Sequence, residues 1–308
     1  MIVVCGEALI DLVPLDVDGG YTARPGGSPT NVAVGLGRLG SQVQLLARLS
    51  GDPFGRQLAA HVEAASVDTS YALEAQEPTT LAVVTLDDEG RAEYAFYVDG
   101  AADGGWRPAD LPAQLPVGAA LHVSGSLALA VASMGETVEE LLRRERGSRV
   151  LTLDPNVRPR LARDEAALRT RLDGWLRLVD VVKVSSDDLD WVAPGQPVEQ
   201  VAASWLAAGP ALVVVTRGEH GVHAVGAAGT VDLAAGHVDV VDTVGAGDAF
   251  MAGLLCALDE AGNLTRERLE SLSSDALHSA LAFAQTVAAE TCRRVGADPP
   301  WRAELAPR

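Results

Sequence analysis

The sequence predicts an α/β fold: a mostly parallel central sheet covered by helices on both faces, with a smaller β-sheet attached. Three observations carry this. Short β-branched runs, most of them apolar on both faces, alternate with segments of helical period. Two segments break that rhythm with residue alternation around glycine turns. Six of the apolar runs pass directly into polar or glycine residues, which in a parallel sheet gathers polar groups along one edge.

The strand candidates are IVVC (2–5), QVQLLARL (42–49), AALHV (119–123), RVLTL (149–153), VDVVKV (179–184), ALVVV (211–215) and HVDVV (237–241). Between them 31–39, 54–65, 134–146 and 166–178 have helical spacing. LVPLDVDGGYTAR (12–24) and TTLAVVTLDDEGRAEYAFYV (79–98) read as antiparallel hairpins around Gly-Gly and Asp-Glu-Gly turns. They define a β-sheet lid of about 12–24 and 79–107, inserted in a single domain of 1–308. In the second hairpin Tyr94, Phe96 and Val98 share one face, and Ala95 and Tyr97 share the other. A small sheet apolar on both faces needs two covers. The expectation is that one face closes on a ligand and the other meets a second subunit, giving a homodimer. The alternative is an extra sheet packed on its own domain.

Composition narrows the partners. Against 24 Lys and Arg stand 42 Asp and Glu, a net charge of −18 in 308 residues. A surface this acidic repels nucleic acid and anionic membranes. Cys5, Cys256 and Cys292 are far apart and odd in number, which argues against disulfides and zinc. The N-terminal MIVVCGEALIDL carries Glu7 and Asp11 and lacks a basic start, unlike a signal peptide. The uncharged run 116–135 contains Pro116, His122, glycines and serines and reads as strand, turn and helix start, not a membrane span. A soluble cytoplasmic protein is expected.

The polar strand ends are Gly6, Glu7 and Asp11; Ser50 to Asp52; Asp154, Asn156 and Arg158; Ser185 to Asp188; Thr216 to Gly218; and the stretch that follows HVDVV. Several familiar motifs fail. GLGRLG (35–40) has the dinucleotide spacing but lies late in a helix and precedes a strand, the reverse of the required context. No Walker phosphate loop or G-x-S-x-G elbow occurs, and the histidines of GEHGVH (218–223) lack zincin spacing.

DTVGAGDAF (242–250) does hold. Gly245, Ala246 and Gly247 can turn successive backbone N–H groups to one point, and the helix starting there adds roughly half a positive charge. Asp248 then lies in the first helical turn. As a cap alone such a carboxylate contributes about 1 kcal/mol. The glycines and the polar edge point instead to a small-molecule site.

This stretch resembles the D-T-x-G-A-G-D signature of the ribokinase-like sugar kinases, the PfkB family. Six fixed matches at a given position arise by chance on the order of one in ten million. PGGSPTN (25–31) resembles the family's first signature, and GEALIDLVP, DPNVRP, the T-R-G turn and TCRRVGA follow in family order across essentially the whole chain. The resemblance implies a three-layer α/β/α sandwich with a β-sheet lid. It implies an ATP-dependent kinase with Asp248 as catalytic base and the 245–247 amides as anion hole. It implies that Asp11, Gly27 and Asn31 hold sugar hydroxyls and that Arg158 contacts sugar or phosphate. Ser185, Thr216, Gly218, Gly221, Ala288 and Cys292 would bind the nucleotide. Ser185 and Asp188 occupy the family's N-x-x-E place, with Asp188 toward Mg2+. Asp242 and the Val244 carbonyl match a monovalent-cation position, for K+. For Asp242 the alternative is a brace for the glycine turn.

Most segments look like the fructokinase branch, which transfers the phosphoryl group to the C6 hydroxyl of fructose. 2-Keto-3-deoxygluconate kinases are the nearest alternative. A non-catalytic sugar-binding or regulatory protein on the same fold is the alternative of another class.

Overall fold

A computed structural model describes residues 1–15, 19–86, 92–162 and 164–305. In chain order the strands are β1 (Ile2–Cys5), β2 (Leu9–Pro14), β3 (Tyr21–Gly26), β4 (Val43–Leu46), β5 (Arg48–Ser50), β6 (Leu73–Ala75), β7 (Thr80–Leu86), β8 (Ala92–Tyr97), β9 (Ala120–Ser124), β10 (Leu151–Asp154), β11 (Val181–Ser185), β12 (Leu212–Thr216), β13 (Val222–Gly226) and β14 (Gly229–Leu233). The helices are α1 (Ser28–Arg38), α2 (Pro53–Ala64), α3 (Ser126–Ala130), α4 (Ala132–Glu145), α5 (Glu165–Leu176), α6 (Ser186–Val192), α7 (Val198–Ala208), α8 (Ala246–Glu260), α9 (Arg266–Leu269) and α10 (Ser274–Cys292).

Eight strands form the central sheet in the order β14-β13-β12-β11-β10-β9-β1-β4. From β4 to β12 the pairing is parallel; β13 and β14 join antiparallel at the edge. Alternation along each strand divides the core. Ile2 and Val4 pack with Leu36, Phe250 and Leu281 on one face. Val3 and Cys5 pack with Leu141, Leu172 and Trp205 on the other. Helices α1, α2, α8 and α10 thus cover one side, and α4, α5 and α7 the other. The three layers predicted from doubly apolar strands are present.

The chain leaves β1 for β4 on one side and returns to β9 on the other. The strand order therefore reverses between β1 and β9, where open α/β sheets bind ligands at the carboxyl ends. Directly above this point stands the lid, a separate four-stranded sheet of order β3-β2-β7-β8. Both expected hairpins are there (β2–β3 and β7–β8), and β2 pairs parallel with β7 between them. The Asp-Glu-Gly turn and residues 16–18 lie outside the described residues.

Three expectations need correction. HVDVV (237–241) is not a strand: the segment is irregular, with Val240 58% and Val241 60% exposed. The edge of the sheet beyond β12 is the β13–β14 hairpin. QVQLLARL divides at Ala47, β4 staying in the main sheet and β5 pairing with β6 in a two-stranded one. In consequence Ser50 to Asp52 do not join the other polar strand ends. Asp52 instead caps α2, accepting from the Gly55 amide at 2.7 Å, and holds Thr79 through its amide at 2.8 Å and hydroxyl at 2.6 Å. GLGRLG lies at the end of α1 with β4 after it, as expected from its context. Among the described residues no helix is long and apolar enough to cross a membrane.

Candidate active site

A cavity of about 190 Å3 opens at the β1/β9 switch point, between the sheet edge and the lid. Of the residues predicted for the site, Asp11, Gly27, Asn31, Arg158, Val244, Gly245 and Asp248 line it. Glu7, Leu9, Ser28, Tyr94, Phe96 and Ser126 complete the wall. Tyr94 and Phe96 come from β8, stacked with centroids 5.9 Å apart, so the Tyr94–Phe96 face of the hairpin is the one that lines the cavity. A second cavity of about 380 Å3, bounded by Ser50, Asp52, Glu74 and Pro78, holds the strand-end residues Ser50 to Asp52 but none of the residues expected to bind sugar, nucleotide or metal.

The turn before α8 explains its glycine. Gly245 has φ 76° and ψ 0°, and a Cβ there would stand 2.5 Å from that of Ala297. Only glycine takes this left-handed position while packed so closely. Asp242 braces the turn, accepting from the Val244 amide at 3.0 Å and the Gly296 amide at 2.7 Å. The Ala246 amide also belongs to the turn, donating to the Thr243 carbonyl at 3.2 Å. In the ligand-free structure the Ala246 amide, one of the three expected for the anion hole, thus has a partner within the turn. Gly247 and Asp248 stand in the first turn of α8, where amides lack intrahelical partners.

Asp248 is held from α1. Its Oδ1 accepts from Ser28 Oγ at 2.7 Å and its Oδ2 from Asn31 Nδ2 at 2.9 Å. Asn31, predicted to bind sugar, thus also orients the carboxylate. Burial raises the basicity of Asp248, while these two hydrogen bonds oppose the rise. Gly27 begins α1 at φ 101°, and a Cβ there would come within 2.8 Å of the Glu7 carbonyl. Glu7 in turn accepts from the Ser28 amide at 3.3 Å. Burial lifts Glu7 to about 7, against the Ser126 hydrogen bond and the Arg158 charge. It lifts Asp11 to about 6, opposed by Arg158 and reinforced by Asp248. Arg158 is aimed by the chain after β10, where Asn156 takes a positive φ of 40°, a conformation asparagine tolerates.

Beyond Asp248 lies a pair that the sequence reading missed. Lys183 donates to Asp154 Oδ2 at 2.8 Å, both side chains under 5% exposed. Its Nζ is 2.9 Å from where a Cβ on Gly247 would stand, so the cation lies against the first turn of α8. The available signal was a lysine inside an otherwise apolar strand, which needs a buried partner. Asp188 stands beside this pair. Its amide is capped by Ser185 Oγ at 3.0 Å and its Oδ1 accepts from the Val157 amide at 3.1 Å. Burial and the Asp154 charge raise it to about 6, against Lys183 and Arg158.

The expected nucleotide residues lie further along the same edge. Thr216 ends β12, and Gly218 and Gly221 belong to the turn that follows. Gly221 has a packing reason of its own, since a Cβ would meet the Leu233 carbonyl at 2.0 Å. Ala288 and Cys292 lie on α10, and the Cys292 carbonyl accepts from the amides of Val241 and Asp242 at 2.8 and 3.2 Å. That contact ties the end of α10 to the glycine turn.

A three-layer sandwich, a lid over its switch point and a buried carboxylate in the first turn of a glycine-led helix define a kinase-like site. Residues 1–304 match the model of the pfkB family of carbohydrate kinases. A fructokinase of Rhizobium leguminosarum bv. trifolii is 39% identical over 282 residues, covering 91% of this chain and 86% of that protein. The crystal structure of a fructokinase with bound ATP from Xylella fastidiosa superposes with a TM-score of 0.89 at 29% identity, covering 99% of this chain and 97% of that one. A Vibrio cholerae O395 fructokinase holding fructose, ADP and calcium ion gives a TM-score of 0.85 at 28% identity, with 99% and 97% covered. The chain belongs to the pfkB family of carbohydrate kinases.

Proposed function

We propose that the protein transfers the γ-phosphoryl group of ATP to a primary hydroxyl of a monosaccharide, converting fructose to fructose 6-phosphate. The observation that carries this is Asp248: a buried carboxylate held at both oxygens by Ser28 and Asn31, at the start of α8 and on the wall of the cavity. The sugar oxygen attacks the γ-phosphorus, the bond to the β-phosphate oxygen breaks, and Asp248 takes the hydroxyl proton. The orphan amides at the start of α8 and the adjacent Lys183 face the charge that spreads over the phosphoryl oxygens. Asp11, Gly27, Asn31 and Arg158 position the sugar. Thr216, Gly218, Gly221, Ala288 and Cys292 line the nucleotide.

Asp188 suits Mg2+: a carboxylate raised to about 6 by burial and a neighbouring Asp154 favours a nearby cation, and Mg2+ needs only one or two protein carboxylates. When bound, the ion neutralises phosphate charge. Asp242 and the Val244 carbonyl serve K+ in the same reading, while the two amides on Asp242 support its role as a brace. The test is a coupled ADP-release assay over a panel of sugars, in sodium and potassium buffers. Fructose is expected to give the highest kcat/KM, and potassium the higher rate. No sugar-dependent release from any member would favour a non-catalytic sugar binder, and 2-keto-3-deoxygluconate as best substrate would name the other kinase.

The lid supports a homodimer. Tyr97, opposite Tyr94 and Phe96, is 61% exposed, an apolar ring in need of cover. Light scattering after size exclusion is expected to give twice the chain mass at micromolar concentration, and a monomer would dispose of the dimer.

A further inference from the structure

Behind Asp248 and its partner Ser28 runs a line of three buried polar side chains that the reaction above does not use. Ser28 Oγ, bonded to Asp248, is 3.1 Å from Ser124 Oγ. Ser124 Oγ is 3.3 Å from His122 Nε2, and His122 Nδ1 is 3.0 Å from Thr152 Oγ1. Ser28 is 6% exposed and the other three 0%. His122 and Ser124 are two apart on β9 and so face the same side as α1; Thr152 pairs with His122 from β10.

Proton counting fixes the direction of the line. Each hydroxyl has one proton. Ser28 gives its own to the carboxylate at 2.7 Å, so Ser124 must donate to Ser28. His122 then donates from Nε2 to Ser124, and Thr152 donates to Nδ1 at 3.0 Å, the nearer of its two acceptors, the other being the Leu121 carbonyl at 3.5 Å. This network assigns the Nε2–H tautomer of a neutral ring. The ring stays neutral because burial and the Lys183 charge push His122 down to about 3. All four donors point toward Asp248, and bonds aligned in one direction strengthen each other by roughly 10–30% apiece.

We propose that Ser124 and His122 are positioning residues for phosphoryl transfer, acting through Ser28 to fix the Asp248 carboxylate in rotation and keep it ionised. The inference rests on the reading of Asp248 as the base. Charged groups also reach the carboxylate from every side: Glu7 after β1, Asp11 from β2, Asp154 and Arg158 around the end of β10, and Lys183 from β11. Those charges are fixed in their own elements. The hydroxyl line adds an orientable donor, Ser28 Oγ, which Ser124 holds from the side away from the carboxylate.

The test is the pH profile of kcat/KM for the sugar. Ser28→Ala is expected to raise the acid limb by about one unit, the loss of one hydrogen bond to a charged group. Ser124→Ala is expected to raise it by about 0.3 unit with KM for ATP unchanged, and Ser124→Thr, which keeps the hydroxyl, should restore it. The double variant Ser28→Ala/Ser124→Ala should match Ser28→Ala alone, because Ser124 acts through Ser28. An unmoved limb in Ser124→Ala, or additive shifts in the double variant, would overturn the proposal. If Ser124→Ala does not fold, His122→Leu against His122→Gln repeats the test. Only Gln can still donate to Ser124, so equal limbs would overturn the proposal. Asp248→Asn is the separate control: near wild-type turnover there would remove the base itself, whatever the serines do.

Discussion

Two ends of the cleft, which the proposed function assigns to the sugar and to the phosphates, are built from different chemistry. At the sugar end three carboxylates, Glu7, Asp11 and Asp248, share the cavity wall with one guanidinium, Arg158. Burial pushes all three upward, Glu7 to about 7 and Asp11 to about 6. At the phosphate end a buried lysine is already paired with its own carboxylate, and a helix begins with unpartnered amides. In the proposed function the difference follows from the ligands. Neutral hydroxyls need acceptors, so the sugar end stores acceptors at an electrostatic cost that bound hydroxyls relieve. A phosphate brings its own negative charge, so the other end must hold a positive field that does not collapse when the site is empty.

The sharpest break in this comparison is Asp248→Asn. The amide keeps the shape and one acceptor but cannot take a proton. Turnover is expected to fall by at least 10²–10⁴-fold, about 3–5 kcal/mol of barrier, while sugar and ATP still bind. Calorimetric binding beside steady-state rates checks it. A variant with near wild-type kcat would show that the sugar end supplies acceptors for binding only.

At the phosphate end Lys183→Met separates field from structure. The single variant strands Asp154 as a buried unpaired charge, a loss of about 3–5 kcal/mol in stability. Lys183→Met/Asp154→Asn removes both charges and is expected to recover most of the melting temperature. Turnover should stay about ten- to a hundredfold low, the size of one lost charge-assisted contact. Recovery of both would mean that the pair only holds β10 to β11.

How far each end was legible in the sequence follows from the range of its contacts. The glycine turn and Asp248 sit within a few residues, so local spacing revealed them. Gly27 and Asn31 have their own short signature. The partners that give Asp248 its character do not: Ser28 is 220 residues away, and only the approach of α1 to α8 joins them. Lys183 and Asp154 are 29 apart on adjacent parallel strands, a contact set by sheet order. The fold was legible wherever alternation or doubly apolar strands have one interpretation. It failed at HVDVV, because a valine-rich extended segment reads the same whether or not a neighbouring strand is free to pair with it.

A smaller effect sharpens the same contrast in the ligand-free protein. Asp103, in the turn below the lid, is fully buried, and its amide donates to Thr80 Oγ1 at 3.1 Å. Burial, then the charge of Glu7, raises it to about 8. For a carboxyl raised on folding, the native state binds more protons than the unfolded state between the two pKa values. Stability is then greatest below the unfolded value near 4 and is lost as pH climbs toward 8. Glu7 acts in the same direction up to about 7. The melting temperature should therefore fall between pH 6 and pH 9, and Asp103→Asn should flatten that fall by about 2–4 °C. The asparagine keeps the volume and cannot ionise, so it isolates the charge from the packing. Parallel melting curves for wild type and variant across that range would place Asp103 outside the electrostatic load carried by the sugar end.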